Sequence, residues 1–510
     1  MSELYEMLSD VKILTLLILV PLIGALLTFF LGKNLKAARL VPIAFSGVTL
    51  VLATLMMLGF DFTSAGVSQY QYSEKYVWVD SIGISYHVGV DGISVPMVWL
   101  TALLCFLAIL FSWDVTKRTH EYMGLMLVLE VGVIGVFMAL DFFLFYIVWE
   151  VVLIPMFFLI SIWGGPRREY SAIKFFIYTH IASLVMLLAI FAMYFTAGAT
   201  LGRNSFDMID IQQAGATFGL DFQVMVFLAL FFGFGVKMPI VPFHTWLPDA
   251  HVEAPTAGSV LLAGLLLKMG SYGLIRVAIP TLPEGAVECQ LLLVFVAILS
   301  ILYGALASLA QRDLKKLVAF SSISHMGIVL LGFATFSAVG MAAGVFMMFA
   351  HGLITAVLFM ICGVVQHIAG TREINKLGGL TPKMPYYATF VMIGFLASLG
   401  LPGLVGFAAE MPVLFSYGYQ NGEWNWLVFL PIASVVITAA YSIWAMQRVL
   451  FGPLTDKINT SHLHDVSWFE AAPLVVLCAF IIFFGLQPNL IYDFLRPVAE
   501  ALSALLPLGV

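Results

Sequence analysis

Fourteen apolar stretches constrain this chain more than any other feature. A helix needs about 20 apolar residues to cross a bilayer. Candidates lie at approximately 11–31, 38–59, 92–112, 121–140, 142–163, 170–196, 222–242, 255–279, 289–310, 314–336, 339–368, 385–417, 425–452 and 467–492. Only 10% of the 510 residues are charged and 62% are apolar, whereas a soluble domain carries about a quarter charged residues. In lipid every backbone polar group must be satisfied internally, so the spans are helices. The expected fold class is an all-α polytopic membrane protein with both termini on one side.

Loop charge checks that count independently, because Lys and Arg collect on the cytoplasmic side. One set of alternate loops holds Lys33, Lys36, Arg39, Lys117, Arg118, Arg167, Arg168, Lys174, Arg312, Lys315, Lys316, Arg372, Lys376, Lys383, Arg448 and Lys457, 16 in all. The other set holds 5: Lys12, Lys75, Arg203, Arg276 and Arg496. The 16-charge side is expected to be cytoplasmic or its equivalent, with both termini outside. The N-terminus is acidic (Glu3, Glu6, Asp10), unlike a signal or transit peptide, so the first span is expected to be retained.

The longest outer connection, 60–91, alternates apolar residues between Tyr76 and Val90, which predicts a β-hairpin turning near Asp80–Gly83. Residues 203–216 mix apolar and polar residues and are expected to lie flat at the outer interface.

The chemistry is concentrated in FGVKMPIVPFHTWLPDAHVEAPTAGSVLLAGLLLKMG, Phe234–Gly270. Lys237 sits in an apolar run before Pro239 and Pro242, a short polar segment carries His244, Asp249, His251 and Glu253, and Lys268 lies in the next span. Charge at membrane depth is costly and marks function, and proline there frees backbone groups that protein or water must satisfy. A broken helix with a lysine at the break reads as an ion or proton site.

The two halves of the chain correspond. Glu150 precedes Lys237 by 87 residues, and His325 precedes Glu410 by 85. Glu410 also follows a break, Leu399-Gly-Leu-Pro-Gly-Leu-Val-Gly406. The step from the fifth span to the tenth is odd, which inverts the second unit, the architecture of ion-translocating proteins. Residues 1–120 are read as N-terminal spans with the outer hairpin, 121–279 as a first five-helix repeat, 289–452 as its inverted copy and 467–510 as the last span with the C-terminus.

Each buried polar residue has a reading. Glu150, deep in FFLFYIVWEVVLIPMFFLISIW, is too short to snorkel and is expected to pair with Lys237. Burial disfavours charge on both partners and pairing favours it, so a third charge can switch the pair. Lysine responds readily to desolvation, which suits Lys268 to carrying protons. His325 and His351 lie in the tenth and eleventh spans and suit a relay, since histidine titrates near physiological pH. Glu130, mid-span, is either a relay member or an acid at a contact with a neighbouring chain. Asp141 is expected to cap the fifth span or touch a partner. His367 is read as structural, and His180 is assigned no role. His244 and His251 are seven residues apart, which is no recognised haem spacing; no metal is expected, and His244 is expected to hydrogen-bond beside the break.

Several function classes are excluded. There is no basic run for nucleic acid, no GxGxxG before a helix and no Walker motif. Cys105, Cys289, Cys362 and Cys478 lack CxxC spacing and read as small hydrophobes. Neither nucleotide nor redox centre is expected in this chain.

The run WLPDAHVEAPTAGSVLLAGLLLKMGSYG (Trp246–Gly273), with VKMPIVPFH before it, resembles the antiporter-like subunits of respiratory complex I. LDFFLFYIVWE (Leu140–Glu150), FSSISHMG (Phe320–Gly327) and LGLPGLVGFAAE (Leu399–Glu410) match as well, so the resemblance spans essentially the whole chain. It implies about fourteen transmembrane helices, two inverted five-helix repeats and discontinuous seventh and twelfth helices. In that family L- and N-type subunits carry lysine after the second break and the M type, the counterpart of mitochondrial subunit 4, carries glutamate; Glu410 is similar to the M type. The resemblance implies proton transfer at Glu150, Lys237, Lys268, His325, His351 and Glu410, supported by His244 and Glu130. It implies a path in which Lys268, His325 and His351 feed Glu410, while Glu150 couples to Lys237 and to the adjacent subunit. It further implies L- and N-type neighbours, partner subunits carrying flavin and iron–sulfur clusters, a quinone site elsewhere in the complex, and a bacterial or archaeal cytoplasmic membrane or an equivalent energy-transducing one. The electron donor is open between NADH, F420H2 and ferredoxin, and the ion between H+ and Na+. The alternative function is a subunit of a multi-subunit cation/proton antiporter.

Overall fold

The computed structural model describes residues 2–30, 34–62, 69–420, 422–457 and 463–507. Lys33 of the loop-charge count lies outside them. Among the described residues 13 helices are long and apolar enough to cross a membrane. The twelfth crossing is made differently, from two short helices, Pro385–Ser398 and Val405–Gly418. The fourteen spans and the second break are therefore present.

The first break is longer than expected. The seventh crossing runs from Leu220 to Lys237, turns through residues 238–245, and resumes as the helix Trp246–Glu253. This corrects the expectation of a polar loop from His244 to Glu253: Trp246, His251 and Glu253 are buried. The turn's backbone is satisfied within the protein, as membrane depth demands. Val241 N–H donates to Ser300 Oγ at 3.0 Å, and the Trp246 indole donates to the Val236 carbonyl at 3.0 Å.

The spans sort by what surrounds them. Leu188, Phe195 and Leu291 keep 68–80% of their surface on outward faces, whereas the eighth (Thr256–Thr281) and eleventh (Ala338–Ala369) crossings are enclosed on all sides. The eighth crossing packs backbone-close on the seventh: a Cβ on Gly270 would stand 2.4 Å from the Phe234 carbonyl oxygen. It is no uniform α-helix. Leu262–Leu266 and Leu274–Ala278 are π-turns, on either side of Leu267–Gly273. Such bulges recur at functional sites.

Arg276 was counted with the loop charges, but it lies inside this enclosed crossing and is 2% exposed. The last span ends at Leu486, and an amphipathic helix, Asn489–Leu505, follows it and packs against the eleventh crossing. On the same side as Arg276, strands Gln71–Val79 and Ile84–Val90 form the expected hairpin, and residues 208–215 form a short helix beside it. Asp141 caps the fifth crossing by accepting from Phe143 N and Leu144 N, and it also accepts from Ser85 of the hairpin.

Candidate functional site

The enclosed crossings meet at Lys268. A widened helical turn leaves carbonyls out of the regular ladder, and the Ala263 carbonyl of the first π-turn accepts from Lys268 Nζ. The same Nζ lies 2.6 Å from His351 Nδ1 on the eleventh crossing. The His351 and His325 ring centroids are 5.4 Å apart. His325 Nε2 is 3.2 Å from the Ser398 carbonyl and 3.4 Å from Glu410 Oε1. Ser398 closes the first half of the broken twelfth crossing, where a helix end leaves its carbonyls unpaired, so the break itself supplies that acceptor.

Lys268, His351, His325 and Glu410 thus form one line through the core, all at most 5% exposed. The expected sequence of the two histidines is reversed: His351 touches the lysine and His325 touches the carboxylate. Among the described residues His351 Nε2 and His325 Nδ1 have no hydrogen-bond partner, so each ring keeps a free nitrogen. A line of titratable groups with vacant nitrogens can pass protons by successive transfer without carrying fixed charge.

The far end of the line is open. Glu410 borders a cavity of about 310 Å³ lined mainly by apolar side chains, Phe407, Met411, Leu414 and Trp424 among them. Gly400, in the break, has φ of +78°, and a Cβ there would lie 2.9 Å from Glu410 Oε2. Only glycine adopts that backbone freely, and here it also leaves room for the carboxylate.

The near end departs from expectation. Among the described residues no salt bridge joins Glu150 and Lys237. Glu150 Oε2 instead lies 3.0 Å from His180 Nδ1, with the glutamate side chain 23% and the histidine 38% exposed on the lateral face. Glu150 is therefore only partly buried. Its second oxygen, Oε1, is enclosed and without a partner. Lys237 Nζ sits over the rings of Trp149, at 5.6 Å, and Phe175, at 5.7 Å. The negative faces of the rings hold the ammonium, one residue along from the acid.

The remaining candidates divide. Glu130 is fully buried, and among the described residues neither carboxylate oxygen has a partner; burial within this chain keeps it from the contact with a neighbouring chain. His244 packs on the Tyr303 ring at 4.8 Å, and its Nδ1 has no hydrogen bond. His367 pairs with Glu470, which completes the capping box of the last span. Two residues escaped the sequence reading. His180 carried no signal beyond lying one crossing away from Glu150. His251 is fully buried against Phe359, with both ring nitrogens unpartnered; it lies on a helix misread as a polar loop.

Residues 139–438 match the family model described as NADH:quinone oxidoreductase/Mrp antiporter, TM. The chain is 43% identical over 501 residues to F420H2 dehydrogenase subunit M of Methanosarcina mazei, covering 96% of this chain and 98% of the relative. It is 38% identical over 494 residues to NADH-quinone oxidoreductase subunit M of Escherichia coli, covering 94% and 95%. A chain of respiratory complex I from Thermus thermophilus superposes with a TM-score of 0.87 at 30% identity, covering 97% of this chain and 99% of that one. A chain of the Mrp complex from Dietzia has the same fold, with a TM-score of 0.82 at 20% identity and 96% and 97% covered. The M-type reading made from Glu410 agrees with the subunit M names of the first two relatives. The chain belongs to the NADH:quinone oxidoreductase/Mrp antiporter transmembrane family and, within it, to the M subunits of complex I-type quinone oxidoreductases.

Proposed function

We propose that this chain translocates protons in the membrane arm of a complex I-type quinone oxidoreductase, driven by redox chemistry in partner subunits. The observation that carries this reading is the line Lys268–His351–His325–Glu410, buried in the protein, with a cavity bordering Glu410 at its end. Protons enter from the side of the basic loops, the cytoplasmic face, load Lys268, and pass through the two histidines to the carboxylate. Glu150, partly exposed beside His180, senses a charge on an N- or L-type neighbour in this reading. Lys237 lies between that acid and the core and passes the change inward. Both termini then face outward. The partners are proposed to carry flavin and iron–sulfur clusters, with the quinone site elsewhere in the complex.

Moving one charge against 100 mV costs about 2.3 kcal/mol, so the line must not conduct in both directions at once. The lysine's two states provide the control: protonated, it donates to His351; neutral, it accepts. Reconstituted complex carrying Lys237→Ala or Lys268→Ala tests the reading. Acidification of the vesicle lumen during donor oxidation is expected to fall while the complex stays assembled. Unchanged acidification in either variant overturns it. The antiporter alternative rests on the shared fold; a preparation that co-purifies with small transporter subunits and no redox subunits would select it.

A further inference from the structure

Beyond Lys268 the eighth crossing continues toward the hairpin side, and its next two turns carry Tyr272 and Arg276. Tyr272 and Arg276 follow at intervals of four residues, so Arg276 lies about 12 Å along the helix from Lys268 at 1.5 Å per residue. The Tyr272 hydroxyl donates to the Phe137 carbonyl at 3.0 Å and lies 2.9 Å from Ser94 Oγ, which donates to Asp91 Oδ1 at 2.9 Å. Asp91 Oδ2 lies 2.6 Å from Arg276 Nε, and both side chains are at most 2% exposed. The guanidinium also stacks on Tyr70, at 4.5 Å from the ring centroid. Asp91 Oδ1 additionally accepts from the backbone of Ile93 and Ser94, which fixes the carboxylate at the start of the third crossing.

This arrangement is costly. Burying an ion pair forfeits the hydration of both groups, and an apolar pair of equal volume would do as well for stability. Two hydroxyls, those of Tyr272 and Ser94, also stand between the stretch of the crossing beyond Lys268 and a buried carboxylate, which would draw a proton released on that side. The fixed positive charge cancels that attraction, so the carboxylate no longer draws a proton, and an arginine forms part of the electrostatic barrier in channels that exclude protons.

We propose that the Asp91–Arg276 pair, clamped by Tyr70 and reached through Ser94 and Tyr272, is a proton barrier at the hairpin-side end of the eighth crossing. It leaves a proton on Lys268 one way out, to His351. Arg276 and Asp91 are positioning residues here, since neither touches the line. The inference rests on the proton-transfer reading of Lys268 given above, and its test separates the two.

The test is passive proton entry into proteoliposomes of the assembled complex after a pH jump, with no donor present. Asp91→Asn with Arg276→Gln removes both charges while keeping polar volume. Leak is expected to rise several-fold over the unchanged complex, and Lys268→Ala added to that pair of substitutions is expected to return it to baseline. A double variant as tight as the parent overturns the barrier; a leak that persists without Lys268 overturns the route through it. Loss of pumping in Lys268→Ala alone, with charges intact, judges the underlying reading separately. Should the double variant fail to assemble, Ser94→Cys with the pair intact decides. Protection from a membrane-impermeant thiol reagent applied on the hairpin side is expected, and rapid labelling contradicts the proposal.

Discussion

Lys268 Nζ and His351 Nδ1 lie 2.6 Å apart, although 83 residues separate them in the chain. Each sits on a crossing enclosed by the rest of the protein. The π-turn ahead of Lys268 presents the Ala263 carbonyl to the same ammonium, so the lysine is held by one acceptor on its own helix and one on another.

Lys268→Arg separates charge from proton transfer. Arginine keeps the positive charge but is not deprotonated in proteins. It is expected to remove this chain's share of pumping as completely as Lys268→Ala does, since a group that cannot release its proton cannot relay one. Lumen acidification in proteoliposomes reads the outcome, and near-normal pumping by the arginine variant would show that a fixed charge suffices.

Glu410→Lys is expected to retain more pumping than Glu410→Ala, because a titratable group would still face His325 Nε2 from the position now 3.4 Å away. Equal loss in the two variants would assign the carboxylate a specific role.

Gly400→Ala is expected to impair both fold and function. The φ of +78° costs an alanine about 1–2 kcal/mol, and its Cβ would press on Glu410 Oε2. Thermal stability should drop modestly and pumping should drop further than stability explains; a variant that pumps normally would mean the carboxylate has freedom to move.

Glu150 and His180 are expected to act as one unit. The pair is partly exposed, so its contribution to stability is small. Alanine at either position is expected to reduce pumping by a similar factor, with little further loss in the double variant. Multiplicative losses would assign the two residues separate tasks.

The hairpin provides an acid-sensitive anchor. Asp207 lies 2.6 Å from Lys75 Nζ and 2.7 Å from His87 Nδ1, and Ser73 meets the other ring nitrogen of His87. Burial would raise the Asp207 carboxyl, but His87 and Lys75 outweigh it and bring it down to about 2. A carboxylate depressed on folding adds stability above its unfolded value of about 3.9, and that contribution is lost as pH falls toward about 2. Hydrogen-exchange protection over residues 71–90, relative to the intrinsic rate at each pH, is expected to fall across that window in the parent and to be low throughout it in Asp207→Asn.

What the sequence disclosed followed from strong local signals. Span length, the Pro239–Pro242 and Leu399–Gly406 breaks and the alternation before Val90 each leave a mark over a few consecutive residues, and each matches an observed element. What it hid depended on the direction of side chains across helices. The Glu150–Lys237 pair was inferred from proximity of function, yet the acid turns outward to His180 while Trp149 and Phe175 hold the lysine. The order of His325 and His351 could not follow from chain order, because the eleventh crossing lies nearer the eighth than the tenth does at that depth. Arg276 was hidden by its charge: an arginine near a span end reads as a loop residue until its partner, Asp91, 185 positions earlier, is seen beside it. His251 was hidden by its polar neighbours, which disguised a short helix.

The most direct test is the proton-to-electron ratio of the assembled complex carrying His351→Ala. His351 is fully buried and joins Lys268 to His325, so its removal cuts the line at its middle. The line predicts that donor-to-quinone electron transfer continues while the ratio falls by the share this chain pumps. A ratio equal to that of the unchanged complex would contradict it.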